Sequence, residues 1–224
     1  MKDIVLLSGG LDSAVTAWMA KATGAELYAL SFAYGQKHSF KELYCAGLLS
    51  EKLGVKAHRV VSLPIGTFGD SSLVDSKQEI PTEGKEGGIP STWVPQRNSL
   101  FLTIAFGLAE TLGASNVWIG ANAVDYSGYP DCRPAYFEAM RRALNLGSKQ
   151  YVEGVSKILI KTPVIAMTKA EEVRIGTELG VPFELTWSCY QGRDVACGVC
   201  DSCRIRLRAF EEAGMVDPIP YELA

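Results

Sequence analysis

A short apolar run that ends in a glycine pair constrains the fold of this chain more than any other feature. Residues 4–7 are all apolar, which is typical of a strand buried on both faces of a parallel sheet. The segment Ser-Gly-Gly-Leu-Asp-Ser at residues 8–13 interrupts the run, and apolar residues at helical spacing follow as far as Gly24. The sequence therefore predicts a strand at residues 3–7, a tight turn and a helix.

The same alternation continues along the chain. Further strands are predicted at residues 26–33, 58–63, 116–119 and 158–160, and helices at 38–53, 99–112, 133–144, 169–179 and 200–213. Short strand–helix links favour right-handed crossovers, and hence an α/β sandwich with a parallel sheet covered on both faces. Residues 64–95 carry five glycines and four prolines, which predicts a long, partly mobile loop.

Length and charge limit the remaining possibilities. The chain has 224 residues, which suits one domain and a small appendage. The 22 basic and 25 acidic residues give a net charge of −3, which argues against extensive binding to a nucleic-acid backbone. No apolar run approaches the ~18 residues that cross a bilayer, and the first run is too short for a signal peptide. We therefore expect a cytoplasmic protein with no nucleic-acid or membrane partner.

The glycine turn has the composition of an anion-binding loop. Backbone N–H groups at a helix start attract anions, and glycines let a phosphate approach the backbone closely. Asp12 and Ser13 are predicted to cap the helix, and Ser8 and Ser13 to supply hydroxyl donors. An ordinary tight turn explains the glycines alone equally well. Neither a Walker A loop nor a G-x-G-x-x-G dinucleotide motif is present at this turn.

Four of the six cysteines cluster near the C-terminus with the spacing C-x7-C-x2-C-x2-C. In a reducing compartment such spacing indicates a metal site rather than disulfides. An iron–sulfur cluster is the rival, but no proline follows Cys203 and no second cysteine-rich block exists, so zinc is favoured. Because all four ligands are thiolates, the zinc is expected to be structural. The metal ligands are predicted to be Cys189, Cys197, Cys200 and Cys203, whereas Cys45 and Cys132 stand apart.

Polar segments follow the predicted strands, where a parallel sheet binds its ligands. In residues 125–133, tyrosines could stack on a flat ring, Asp131 could accept hydrogen bonds from a guanine-type N1–H and 2-amino pair, and Arg133 could pair with an anion. A loop whose aromatics only cap the core is the alternative. Arg97 and Asn98 could equally form a solvated helix N-terminus. Of the two histidines, His38 is the better catalytic candidate, although structural roles are favoured for both.

The turn at residues 8–13 resembles the pyrophosphate-binding loop of the PP-loop ATP-pyrophosphatases. Further motifs lie in order at residues 34–38, 94–98, 120–122, 125–134, 162–163 and 168–171, where Thr168 could cap a helix beginning at Lys169. Together with the cysteine spacing, they are similar to the 7-cyano-7-deazaguanine synthase (QueC) family. The resemblance implies a three-layer sandwich with a five-stranded parallel sheet. It also implies a PP-loop domain over residues 1–185 and a zinc-binding region with a terminal helix over residues 186–224.

The resemblance also implies site residues. Asp12, Ser13 and Lys169 are the expected catalytic residues. ATP is expected to contact the loop, the first helix and the second strand, at Ser8, Gly9, Gly10, Leu11, Asp12, Ser13, Ala14, Val15, Thr16, Ala17, Trp18, Ser31, Phe32 and Lys169. The substrate is expected to contact Tyr34, Gln36, Arg97, Asn98, Asp125, Tyr126, Tyr129, Asp131 and Arg133.

The implied reaction is an ATP-dependent conversion of 7-carboxy-7-deazaguanine and ammonia into the nitrile, through an adenylated acid and an adenylated amide. ATP, Mg²⁺ and one Zn²⁺ per chain are implied, as is a homodimer. The chain is too short for an added glutaminase domain, so ammonia is expected to arrive free. Two alternatives are a tRNA-modifying thiolase or synthetase of the same superfamily and a non-catalytic nucleotide-binding module with a zinc knuckle.

Overall fold

A computed structural model describes residues 1–68, 71–82, 88–124 and 128–222. Its strands and helices follow the predicted order, and each predicted boundary agrees within two residues. The strands are β1 (Lys2–Leu6), β2 (Glu26–Ala33), β3 (Ala57–Ser62), β4 (Asn116–Trp118) and β5 (Leu159–Lys161). The α-helices are α1 (Leu11–Ala22), α2 (Ser39–Leu53), α3 (Arg97–Leu112), α4 (Pro134–Leu146), α5 (Lys149–Val152), α6 (Lys169–Glu178) and α7 (Asp201–Glu212). Short 3₁₀ turns at Pro64–Phe68, Pro130–Cys132 and Phe183–Leu185 and the short α5 are absent from the sequence prediction.

The five strands form one parallel sheet in the order β3-β2-β1-β4-β5. In the register, Ile4 of β1 lies between Tyr28 of β2 and Val117 of β4. The order reverses between β1 and β4, so the carboxyl ends of these strands border a crevice where open α/β sheets bind ligands. The predicted α/β sandwich with a five-stranded parallel sheet is confirmed.

The core lies on both faces of this sheet. Ile4 and Leu6 of β1 belong to one buried cluster, and Val5 and Leu7 belong to the cluster on the opposite face. This division follows from the alternation of side chains along a strand. A continuous apolar run is therefore what this central strand needs, as the sequence predicts.

The start of α1 differs from the prediction in one respect. Gly10, and not a polar side chain, occupies the N-cap position, and no side chain caps the helix. The prediction that Asp12 and Ser13 cap the helix is wrong because both lie inside its first turn, where Ser13 Oγ donates back to Gly10 O at 3.0 Å. At α6 the predicted cap is confirmed, since Thr168 and Glu171 form a capping box.

The two segments outside the strand–helix pattern join the same core. Within residues 64–95, Leu73, Ile80 and Val94 are buried with sheet residues. The cysteine cluster also belongs to that core, and α7 packs against α6. No separate core marks the boundary at residue 186 within the described residues, and the two-domain division stays a prediction. None of the described helices combines the length and apolarity that a membrane span requires.

Candidate active site

A cavity of about 280 Å³ opens beside the carboxyl ends of the central strands. Its wall includes the loop after β1, the end of β2, the start of α3, the segment after β4 and the start of α6. These are the regions that bear most of the predicted site residues. The predicted residues that line the cavity are Ser8, Gly10, Leu11, Asp12, Ser13, Ser31, Phe32, Tyr34, Arg97, Asn98, Tyr129 and Lys169.

Two glycines allow the glycine loop to be packed between its neighbours. Gly9 has a φ of +89°, and a Cβ there would lie 2.4 Å from the Glu42 carbonyl oxygen of α2. At Gly120, after β4, a Cβ would lie 2.6 Å from the backbone of Asp12. Neither position tolerates a side chain without moving the backbone, so both glycines fix the loop against α2 and against the segment after β4.

The serines of the loop hold its shape. Ser13 Oγ accepts a hydrogen bond from Ser8 N at 3.2 Å and one from Ser8 Oγ at 3.0 Å. Ser8 Oγ in turn accepts from Gly10 N at 3.2 Å. The first N–H groups of α1 have no acceptor within the helix, and they carry the positive end of its dipole. This end of the cavity can therefore bind an anion such as a phosphate.

Lys169 brings a cation to the same loop. Its Nζ lies 2.9 Å from Asp12 Oδ2 and 2.6 Å from Glu172 Oε1, although only 14% of the side chain is exposed. Burial on its own lowers the pKa of Lys169, but Asp12 and the hydrogen bond to Glu172 outweigh it and raise the pKa, so the ammonium is retained. Burial and the nearby Asp12 raise the pKa of Glu172 to about 9.

Two residues of this network are not among the predicted site residues. Glu172 is fully buried, and Asn122 donates through Nδ2 to Glu172 Oε1 at 2.8 Å and to the backbone oxygens of Met167 and Val164. Asn122 thus ties the segment after β4 to the start of α6. The spacing of Lys169 and Glu172, three residues apart on one helix, is the signal that could have indicated Glu172.

A second part of the cavity wall, formed by Tyr34 and the start of α3 and called the Arg97 end, carries another cation. Arg97, the first residue of α3, donates through Nη1 to Tyr34 Oη at 3.2 Å. No carboxylate lies within 4.0 Å of Arg97 among the residues that the structure describes. Burial raises the pKa of Tyr34 to about 12, so its hydroxyl stays protonated. Arg97 is therefore free to pair with an anionic group of a ligand.

The neighbouring residues position this end. Asn98 donates through its backbone N to Asp131 Oδ2 at 3.3 Å and through Nδ2 to Asp131 O at 3.0 Å. Tyr129 Oη pairs with Thr92 Oγ1 at 2.7 Å, and Phe32 stacks on Phe101 with 4.0 Å between ring centroids. Phe32 and Tyr129 line the cavity, and aromatic rings are side chains on which a flat ligand can stack.

Several predicted contact residues do not line the cavity. The Gln36 amide donates to Phe32 O and Glu42 and accepts from Tyr34 N, and both Asp131 oxygens accept from protein donors. Arg133 is exposed before α4. Gly9, within the loop, faces α2 and does not line the cavity, and Asp125 and Tyr126 lie outside the described residues. The residues of α1 that pack in the core instead are Ala14, Val15, Thr16, Ala17 and Trp18.

The histidines and the two isolated cysteines have structural surroundings. His58 Nε2 lies 2.7 Å from Ser31 Oγ, which also donates to Leu7 O. His38 borders the cavity, and burial lowers its pKa. Burial raises the pKa of Cys45, and it raises that of Cys132 to about 11, which disfavours the reactive thiolate in both.

The four clustered cysteines form a candidate metal centre next to the cavity. All four are buried, and their Sγ atoms lie within 4.8 Å of one another. A tetrahedral Zn–S distance of about 2.3 Å places ligand sulfurs roughly 3.8 Å apart, so the arrangement fits one tetrahedral ion. Cys200 is the N-cap of α7, and Gly198 has the positive φ (+72°) that the turn between Cys197 and Cys200 requires.

A buried ion pair fixes the C-terminal segment around this cluster. The Arg206 guanidinium forms two hydrogen bonds with the Asp217 carboxylate, at 2.7 and 2.9 Å, and Tyr221 donates to the same carboxylate at 2.6 Å. Just before the cluster, Trp187 N donates to Gly9 O at 2.8 Å and its ring lines the cavity. The metal centre thus lies directly behind one wall of the cavity.

A family model described as queuosine biosynthesis protein QueC matches residues 2–214. The chain belongs to the QueC family. It is 50% identical over 225 aligned residues to the 7-cyano-7-deazaguanine synthase of Trichormus variabilis, covering 99% of this chain and 98% of that protein. It is 52% identical over 223 residues to the synthase of the same name from Cupriavidus taiwanensis, covering 99% and 97%.

A solved structure of low sequence identity is also similar to this chain. The predicted subunit of tRNA methyltransferase from Methanocaldococcus jannaschii aligns with 99% of this chain and 92% of its own, at a TM-score of 0.50 and 16% identity. At that identity the similarity shows a shared fold and nothing about activity. The predicted QueC family and the predicted enzyme class are confirmed by the family model and the curated relatives.

Proposed function

We propose that this QueC-family enzyme converts 7-carboxy-7-deazaguanine and ammonia into 7-cyano-7-deazaguanine with the consumption of ATP. The observation that carries the proposal is a single cavity whose wall contains the glycine loop with Lys169 and, in another segment, Arg97 with no described carboxylate partner. A reaction that joins an acid to ATP needs both groups held in one site. The names of the curated relatives support the same reaction.

At the loop end, we assign the phosphates of ATP to the backbone N–H groups of residues 10–13 and to Lys169. Lys169 keeps its positive charge because Asp12 and the hydrogen bond to Glu172 raise its pKa. It can stabilise the negative charge that builds up as pyrophosphate leaves. Asp12 offers an oxygen ligand at the edge of the cavity and would hold Mg²⁺, which neutralises phosphate charge.

At the other end, we assign the carboxylate of the acid to Arg97. Arg97 pairs with no described carboxylate, and Tyr34 Oη orients its guanidinium. The carboxylate oxygen attacks the α-phosphate, pyrophosphate leaves, and ammonia displaces AMP from the acyl carbon to give the amide. A second ATP activates the amide oxygen, and loss of AMP leaves the nitrile. Positioning and charge stabilisation are the protein's main contributions.

The remaining assignments concern metal and assembly. Zinc is the ion that we assign to the cysteine cluster, because four thiolates at tetrahedral separation suit it and leave no open coordination position. The buried cluster would then stabilise the fold without entering the reaction. We further propose a cytoplasmic homodimer that takes free ammonia and binds no nucleic acid, in keeping with the net charge of −3.

The proposal is tested by incubating zinc-replete protein with ATP, Mg²⁺, ammonium and 7-carboxy-7-deazaguanine. We expect AMP and pyrophosphate to form only when the acid is present, and mass spectrometry to detect first the amide and then the nitrile. Omitting ammonium should leave acid-dependent pyrophosphate exchange intact. Protein with full zinc content that releases no AMP with the acid would show the proposal to be wrong.

A further inference from the structure

Glu42 of α2 places a carboxylate in the cavity that the proposed function does not use. Among the described residues that line the cavity, only Asp12 and Glu42 are acidic, and Asp12 lies against Lys169. The Glu42 side chain is 15% exposed, and no Lys or Arg of the described residues lies within 4.0 Å of it. A carboxylate so nearly buried without a cation requires another source of hydrogen bonds.

The hydrogen bonds inside the protein satisfy only part of this carboxylate. Gln36 Nε2 donates to Glu42 Oε2 at 2.7 Å, and His38 Nε2 lies 3.7 Å from the same oxygen. No described residue donates to Oε1. Because the Gln36 amide is itself held by Phe32 O and Tyr34 N, it fixes the orientation of the carboxylate. Glu42 is thus a pre-oriented acceptor whose second oxygen is available to a ligand.

The position of Glu42 relative to Arg97 indicates what that ligand presents. Tyr34 links the two groups, since its Oη accepts from Arg97 Nη1 and its backbone N donates to the Gln36 amide that holds Glu42. One cation and one carboxylate therefore border the same part of the cavity wall. A 7-deazaguanine acid carries its carboxylate on one ring and an N1–H and 2-amino donor pair on the other. Two parallel N–H donors match the two oxygens of a carboxylate.

We propose that Glu42 recognises the N1–H and 2-amino edge of the deazaguanine ring and thereby selects guanine-type acids. This inference rests on the proposed function. It moves to Glu42 the role that the sequence suggests for Asp131. Trp93 Nε1 donates to Asp131 Oδ1 at 3.2 Å and Asn98 N to Oδ2 at 3.3 Å, and Asp131 does not line the cavity.

The test combines the Glu42→Gln variant with a substrate analogue that lacks the 2-amino group. The amide oxygen that this substitution introduces can still accept from Gln36, so the local packing is kept. Acid-dependent AMP formation is measured for both proteins with both acids.

Hydrogen bonds to a charged group contribute about 1.5–3 kcal/mol, so wild-type KM should rise roughly 10- to 100-fold with the analogue. In Glu42→Gln, KM for the full acid should rise by a similar factor and discrimination should nearly vanish, while kcat and KM for ATP change little.

Controls separate this inference from the proposed function. Glu51→Gln, an exposed position on the same helix, should behave as wild type, and Asp131→Asn should keep its discrimination between the acids. The inference is overturned if Glu42→Gln retains full discrimination, or if its defect is confined to KM for ammonium. Wild-type protein that binds both acids equally overturns it even if the variant does not fold. Wild-type protein that makes no acid-dependent AMP refutes the proposed function itself, before any variant is compared.

Discussion

The two ends of the cavity are built in different ways. The loop end is mostly backbone: six consecutive residues after β1, held by two of their own serines and by glycines that let α2 and the segment after β4 approach. The Arg97 end is mostly side chains from segments far apart in sequence, with Tyr34 after β2, Glu42 in α2 and Arg97 in α3. In the proposed function a local backbone motif therefore holds the phosphates, whereas the groups assigned to the acid are positioned by long-range packing.

This difference leads to different expectations for mutations. Mutations at the loop end should impair the reaction with ATP and should have little effect on which acid is accepted. The Arg97 end should control KM for the acid and leave the use of ATP nearly intact. The cysteine cluster adjoins the cavity, because Trp187, two residues before Cys189, is hydrogen-bonded to the loop and Tyr190 lines the cavity. We therefore expect both ends to depend on the cluster.

The largest effect is expected at the cysteine cluster, where a mutation should impair the binding of ATP and of the acid together. Structural zinc sites in zinc-finger peptides have apparent binding free energies of about 10–16 kcal/mol, and losing one of four buried thiolates removes much of such an energy. Cys203→Ser should therefore lose zinc, fold poorly and lose both ATP and acid binding. Metal analysis and thermal denaturation measure this, with Cys45→Ala as the control. A Cys203→Ser protein with normal stability and activity would contradict a structural metal.

The next largest effect is expected at the loop end. Lys169→Met removes the cation from the glycine loop, and losing one such electrostatic contact to a transition state costs about 10²- to 10³-fold in kcat. We expect the loss in acid-dependent pyrophosphate exchange, with KM for the acid changed far less. Lys52→Met on the exposed side of α2 is the matched control. If Lys169→Met changed only KM for the acid, Lys169 would have to be assigned to the acid and not to ATP.

A smaller effect that falls on KM is expected at the other end. Arg97→Met removes the charge assigned to the carboxylate of the acid, and a charge-assisted contact of about 1.5–3 kcal/mol corresponds to roughly a 10- to 100-fold rise in KM. KM for ATP should stay near the wild-type value. The informative comparison is Arg133→Met, because both arginines fit the sequence pattern but only Arg97 lines the cavity. An acid KM that rises in Arg133→Met and not in Arg97→Met would reverse the assignment.

How far the sequence predicts each part follows the same division. The positions of the strands along the chain, the glycine loop and the cysteine cluster follow from local patterns: apolar runs, a glycine pair and cysteine spacing. The side chains of the Arg97 end depend on which segments meet in three dimensions, which one-dimensional spacing does not encode. Asp131 and Gln36 have polar groups suited to substrate contacts, yet those groups form hydrogen bonds within the protein. Glu42 lines the cavity, although no motif in the sequence indicates it.

The helix caps show the same limit at short range. Ser13 has the composition of a capping residue, but its hydroxyl serves the preceding loop because the helix begins two residues earlier, at Leu11. At α6 the pattern of Thr168 and Glu171 fixes both partners of the cap, so the sequence is sufficient there. Reciprocal pairs are therefore better predictors than single residues.

The smallest effect on catalysis is expected at the buried carboxylate behind Lys169, where the change falls on the pH dependence of stability. Burial and Asp12 raise the pKa of Glu172 from 4.5 to about 9, so the folded state binds a proton more tightly than the unfolded state does. The stability that this proton contributes is fully present below about pH 4.5 and is lost as the pH rises towards 9. The amide side chain of the Glu172→Gln variant cannot ionise, so the fall in unfolding free energy between pH 5 and pH 9 should be smaller than in wild type. Urea denaturation across that pH range measures it, with Glu178→Gln on the same helix as the control. An unchanged pH dependence would indicate that Glu172 is already ionised against Lys169, and the loop end would then hold two carboxylates for one cation.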